Sequence, residues 1–147
     1  MDDHAAIVEL LERQFQALSW NKDQEGDWAG FSRDFVDKAQ LFASARPARS
    51  QTVKEFVERM QGLSKGSLPD LQEKLLGHRI EVFGNVAVAT AVCELTENQS
   101  KVTYNIEALL LLKENGQWRI ASQAWDTATD AAAAKALWVE DAKSPSS

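Results

Sequence analysis

The segment "EVFGNVAVATAVCELTENQSKVTYNIEALLLLKENGQWRIA", residues 81–121, alternates apolar and polar positions between three groups of turn residues. These are Gly84-Asn85, the run "ENQSK" at 97–101, and Asn115-Gly116. Gly-Asn and Asn-Gly tolerate the positive φ angles of tight hairpins, so each joins two antiparallel strands. From residue 71 onward the period is therefore two, and four strands form a meander.

Upstream the period changes to that of helices. Ile7, Val8, Leu11, Phe15 and Leu18 make one apolar stripe. A short second helix follows "EGD", with Asp27 as N-cap and Trp28, Phe31 and Phe35 turned inward. "KAQLFAS" reads as a short strand. In a third helix Val53, Phe56, Val57, Met60 and Leu63 point one way, and Gly62, Gly66 and Pro69 mark its end. Helices followed by an antiparallel meander predict an α+β fold. The domain spans residues 1–128. A C-terminal segment, 129–147, follows, and the polar tail "AKSPSS" is expected to be disordered.

Composition narrows the function classes. The 147 residues are 44% hydrophobic and 26% charged, enough for one domain with a core that needs no staples. The net charge of −6 argues against nucleic acid, which rewards basic patches. "SARPARS", with Arg46 and Arg49, reads as a solvated loop. The single cysteine, Cys93, allows no internal disulfide, and His4 and His78 lie in separate elements with no metal-ligand spacing, so no metal and no cofactor are expected. No apolar run of about 18 residues exists to span a membrane, and the acidic start "MDDHAAIVELLERQ" lacks the apolar region of a signal peptide. A cytoplasmic protein is expected.

Two-residue turns fix cross-strand partners, so the faces can be worked out. Gly84-Asn85 pairs Phe83 with Val86, Ile80 with Ala89 and His78 with Ala91. Asn115-Gly116 pairs Leu110 with Ala121, Ala108 with Gln123 and Ile106 with Trp125. If "ENQSK" pairs Glu97 with Val102, one lateral row reads His78, Ala91, Ala108, Gln123. The alanines leave volume on this face, beside a few polar groups, which is the character of a small-molecule pocket. The opposite face then carries Leu75, Val88, Glu107, Leu109, Leu111, Trp118 and Ile120. It is also apolar, and with helices for only one face it calls for a partner, a second copy of the chain.

The segments "GDWAGF", "AQLF", "EVFGNVAVA" and "LLLLKENGQWRIA", in this order, resemble the nuclear transport factor 2-like superfamily, especially its SnoaL-like (polyketide-cyclase-like) branch. The resemblance reaches from the first helix to Thr127. It implies a cone, in which a curved antiparallel sheet wraps three N-terminal helices around a pocket, and a homodimer through the outer sheet face. In ketosteroid-isomerase-like relatives an aromatic near the end of the last strand lines the pocket, and Trp125 is the matching position. Their catalytic groups do not carry over. The first helix has Phe15 in place of a tyrosine, "LFASARPARS" holds no acid, and the register places Glu107 outside.

The candidate ligand-binding residues are thus His78, Gln123, Trp125, Tyr104, Ala108 and Thr127. His78 is the one candidate for catalysis, since an imidazole titrates near working pH; its structural alternative is a core histidine bonded to backbone or to Gln123. Tyr104 and Thr127 are rim positions. Three readings follow: a binding protein for a small apolar or aromatic molecule; an isomerase, dehydratase or cyclase using His78 as general acid/base; or an interaction module whose pocket is filled by residues 129–147.

Overall fold

The computed structural model describes residues 2–128 and 130–136. Helix α1 (Asp3–Ala17) starts where Asp2 accepts a hydrogen bond from Ala5 N at 2.7 Å. Helix α2 (Trp28–Arg33) is capped by Asp27 through Gly30 N at 3.0 Å. Helix α3 (Val53–Ser64) opens on a reciprocal cap, in which Thr52 Oγ1 accepts from Glu55 N and Glu55 Oε1 accepts from Thr52 N. Each cap satisfies backbone N–H groups that the first helical turn leaves without partners.

The strands are β1 (Phe35–Phe42), β2 (Ser50–Gln51), β3 (Leu71–Phe83), β4 (Val86–Glu97), β5 (Lys101–Glu114) and β6 (Gln117–Thr127). They form one curved, unclosed sheet in the order β2-β1-β6-β5-β4-β3, with β1 parallel to β6 and every other pair antiparallel. The helices lie against its concave face. Ile7, Leu10, Leu11, Phe31 and Phe56 from the helices share a core with Ala87, Ala89, Leu109, Leu111, Trp118 and Ile120 from the strands. The architecture is the α+β cone read from the sequence.

The first hairpin has the expected pairs: Phe83 with Val86, Ile80 with Ala89 and His78 with Ala91. Beyond it the register departs from expectation at three places. A bulge between Leu75 and Gly77 sets Leu75, not Leu76, opposite Cys93. The middle turn is three residues long, because Asn98 and Gln99 both take positive φ (51° and 63°), so Glu97 pairs with Lys101 instead of Val102. That one-residue change turns β5 over. Ala91 now faces Glu107 rather than Ala108, Glu107 and Leu109 point into the cone, and Ala108 is exposed on the outer face. Leu111, Trp118 and Ile120, expected outside with them, are also core. Leu75 likewise packs against the core rather than outside.

A second bulge, at Ala121, lies between the pairs Leu111–Ile120 and Leu110–Ser122. The extra residue restores the inward direction of Gln123 and Trp125, which face Leu109 and Glu107. The outer face retains Phe83, Val86, Val88, Val102 and Leu110 as exposed hydrophobics. The expectation of a disordered "AKSPSS" tail lies outside the described residues, as does most of 129–147.

Candidate functional site

The interior of the cone is a cavity of about 410 Å³. Its walls are apolar and aromatic. Phe15 comes from α1, Phe31 from α2, Leu41 from β1, Phe56 and Met60 from α3, Leu95 from β4 and Trp125 from β6. The aromatic rings brace one another. Phe56 stacks on Phe31 at 5.3 Å between centroids and meets Trp125 edge to face at 5.5 Å. Trp125 is thus held by its neighbours with the cavity in front of it.

Three elements bring a polar cluster into this apolar space. Gln14 occupies a position of α1 that the helical period turns inward, four residues after Leu10 and four before Leu18. Gln123 and Glu107 come from neighbouring strands, and all three side chains are buried. Gln14 Nε2 donates to Gln123 Oε1 at 2.8 Å, and Gln123 Nε2 donates both to Gln14 Oε1 at 3.1 Å and to Glu107 Oε1 at 2.7 Å. An amide nitrogen carries two hydrogens, so both of Gln123's donors are committed. The network fixes the direction of the Glu107 carboxyl.

Burial pushes the Glu107 carboxyl up to about 7, against the opposing pull of hydrogen bonds from Gln123 and Asn105. Glu73, on β3, also lines the cavity. Burial first, and then the charge of Glu107, hold its carboxyl well above the usual range, while a hydrogen bond from Cys93 Sγ at 3.7 Å acts in the other direction. The Cys93 thiol is itself pushed far up by burial and by both glutamates, which disfavours a thiolate nucleophile. The chemistry on offer is therefore proton exchange near neutral pH at Glu107, and hydrogen bonding to a bound molecule. No group of three or more His, Cys, Asp or Glu able to hold a metal occurs among the described residues.

The six candidate residues separate. Gln123, Trp125 and Thr127 line the cavity. Ala108 does not, because the middle turn, one residue shorter than expected, sends it outside. His78 faces inward but away from the cavity, its ring against His4 of α1 at 5.8 Å, and Gln123 is bonded to Gln14 and Glu107 instead. Tyr104 shares a backbone hydrogen bond with Ala128 and is not in the lining. The register expected from the turns places Glu107 outside, whereas the observed pairing turns it into the cavity. Gln14 was missed, and the signal for it was a polar residue at an apolar position of the helical period.

The family described as "Putative lumazine-binding" matches residues 2–126 of the chain. Among solved structures the chain is similar to a Nostoc punctiforme protein of unknown function with a cystatin-like fold. The TM-score is 0.68 at 13% identity, over 87% of this chain and 92% of that one. A nuclear transport factor 2-like protein of unknown function from Pseudomonas putida gives a TM-score of 0.68 at 17% identity, over 89% and 92%. A Novosphingobium aromaticivorans protein described as a "Putative Scytalone Dehydratase" gives 0.67 at 11% identity, over 86% and 85%. At such identities the likeness is one of fold: nuclear transport factor 2-like, also called cystatin-like. The comparison with curated proteins gave no match. No helix among the described residues is long and apolar enough to cross a membrane.

Proposed function

The chain belongs to the family described as "Putative lumazine-binding", and from that premise we propose that its cone binds a small, flat, largely apolar molecule whose polar edge meets Glu107. The observation that carries this reading is the fixed Gln14–Gln123–Glu107 cluster in an otherwise aromatic-walled cavity. Ligand pockets typically enclose about 300–1,000 Å³ with few, well-oriented polar groups. A two-ring heterocycle such as the lumazine of the family's description suits that size, and its ring N–H and carbonyl groups suit a carboxyl. A place in the SnoaL-like branch and a cytoplasmic location belong to the same proposal.

Calorimetric titration of the full chain with lumazine tests it. Saturable binding is expected, weakened about tenfold by Gln123→Leu, since loss of the hydrogen bond that orients the buried Glu107 carboxyl costs about 1–3 kcal/mol. Leu95→Trp, which puts an indole into the cavity, should abolish binding. Undiminished binding in Leu95→Trp would place the ligand elsewhere.

One observation favours a second reading as an enzyme of the isomerase, dehydratase or cyclase kind. A carboxyl at about 7 inside an apolar cavity is suited to general acid/base work. In this reading Glu107, not His78, takes and gives the proton. The reading requires turnover that is lost in Glu107→Gln and kept in His78→Ala. We also propose a homodimer through the outer sheet face, supported by the exposed side chains of Phe83, Val88, Val102 and Leu110 on it.

A further inference from the structure

The cavity is chemically different at its two ends. Its buried end brings together carboxyl groups and a glutamine amide whose hydrogens are already used: Glu107 and Glu73, with Gln123 donating to Gln14 and Glu107. An anion placed there would find no cation, and no free amide hydrogen of Gln123, to receive it. The mouth is marked by the lining residues that reach solvent, and two of these are cations. Arg59 projects from α3, and Lys101 opens β5. In a chain of net charge −6, cations at the mouth run against the overall balance.

The two cations are not equally available. Lys101 stands opposite Glu97 across the hairpin, and Glu97 also lines the mouth, so part of its charge is offset. Arg59 lies one helical turn after Glu55, the acid best placed by spacing to pair with it. The Glu55 carboxylate is turned to the helix start instead, accepting from Thr52 N at 2.9 Å. Arg59 is therefore the stronger anion partner, and its guanidinium can hold a carboxylate or a phosphate through two N–H groups.

Building on the reading of the cone as a ligand site, we propose that its ligand is an amphiphilic anion. A ring-bearing apolar body lies against Phe15, Phe56 and Trp125. One acidic group, a carboxylate, sulfonate or phosphate, stays at the mouth beside Arg59 and Lys101. The polarity fixes the direction of entry, uncharged end first. It also selects against molecules whose charge would have to travel to Glu107.

Two fluorescent probes with the same ring body separate this inference from the cavity reading beneath it: anilinonaphthalene sulfonate, and its uncharged parent phenylnaphthylamine. Both are titrated into the full chain at low and high salt, with Leu95→Trp as the filled-cavity control that should remove both signals. The sulfonate should bind more tightly than the parent, and high salt should erase the difference. Arg59→Ala should weaken the sulfonate about fivefold, the scale of an exposed ion pair, and leave the parent unchanged; Arg59→Lys should recover part of the loss. A parent that binds as well as the sulfonate, or an Arg59→Ala variant that weakens both alike, overturns the anionic end while leaving the cavity as a ligand site. Probe signals that survive in Leu95→Trp, or no binding of either probe, overturn the cavity reading and this inference together.

Discussion

Leu109 and Leu110 are the same residue one position apart, yet they live in different solvents. Leu109 is 4% exposed, inside the cone among helix side chains, and Leu110 is 39% exposed on the outer face. The same contrast repeats along β5, where Glu107 is buried while Ala108 is exposed. One face of this sheet is committed to the chain's own core and cavity. The other carries apolar side chains that the described residues do not bury. Alternation alone distributes these roles, so a one-residue shift in pairing exchanges every one of them.

The largest test of that contrast is a charge on either side of it. Leu109→Glu should prevent stable folding, because an unpaired carboxylate in the core costs about 4 kcal/mol or more, a large share of a domain's stability. Leu110→Glu should change the monomer's stability by less than about 0.5 kcal/mol. If the outer face joins two copies, the same Leu110→Glu should shift sedimentation from dimer to monomer. Thermal melts of both variants, with sedimentation of the second, check the pair. Equal thermal losses would mean that the two faces are wrongly assigned.

Glu107 gives the next largest effect, and its sign is definite. Its carboxyl sits at about 7 in the fold against an ordinary 4.5, so between those values the folded chain holds a proton that the unfolded chain releases. The stabilisation is complete below about pH 4.5 and is lost as pH rises through about 7, a difference of about 3 kcal/mol at most. Glu73, raised for the same reason, works in the same direction. Denaturant titrations should therefore show greater stability at pH 5 than at pH 8. Glu107→Gln should remove much of that slope. A slope unchanged by the substitution would mean that Glu107 titrates as a solvated acid.

How much of this was legible in the residues depends on turn chemistry. Gly84-Asn85 and Asn115-Gly116 are two-residue turns, and the pairs next to them, Phe83 with Val86 and Leu111 with Ile120, follow from sequence alone. "ENQSK" permits turns of different length. Nothing in its composition states that Asn98 and Gln99 would both adopt positive φ, so the orientation of β5 stayed open until the structure fixed it. The bulges at Leu75/Gly77 and Ala121 are less visible still, because an alanine or a leucine carries no bulge signature. The consequences differ by strand. Trp125 and Gln123 face inward because the Ala121 bulge offsets the turn, while Ala108 and Trp118, with no bulge between them and the turns, exchange faces. Gln14 could have been suspected from period, but its partners come from strands about 100 residues later, and pairwise periodicity does not show them.

The smallest effect is the most direct check on β5's orientation. Ala91 and Ala108 were candidates for the same pocket wall, and the structure separates them. Ala91 has no exposed surface and packs with Phe15 and Cys93, whereas Ala108 lies between Thr90 and Ala124 on the outer face. A phenylalanine at each site therefore asks different questions. Ala91→Phe must displace packed neighbours, which costs about 1–3 kcal/mol. Ala108→Phe adds an aromatic to an exposed strand surface, where cross-strand contacts are worth a few tenths to about 1 kcal/mol, so its melting point should stay level or rise slightly. Binding in the cone should be untouched by Ala108→Phe, because its ring has no path through the sheet. A loss of ligand affinity in Ala108→Phe with Ala91→Phe tolerated would restore the pairing of Glu97 with Val102 across "ENQSK" and turn Glu107 back to the outside.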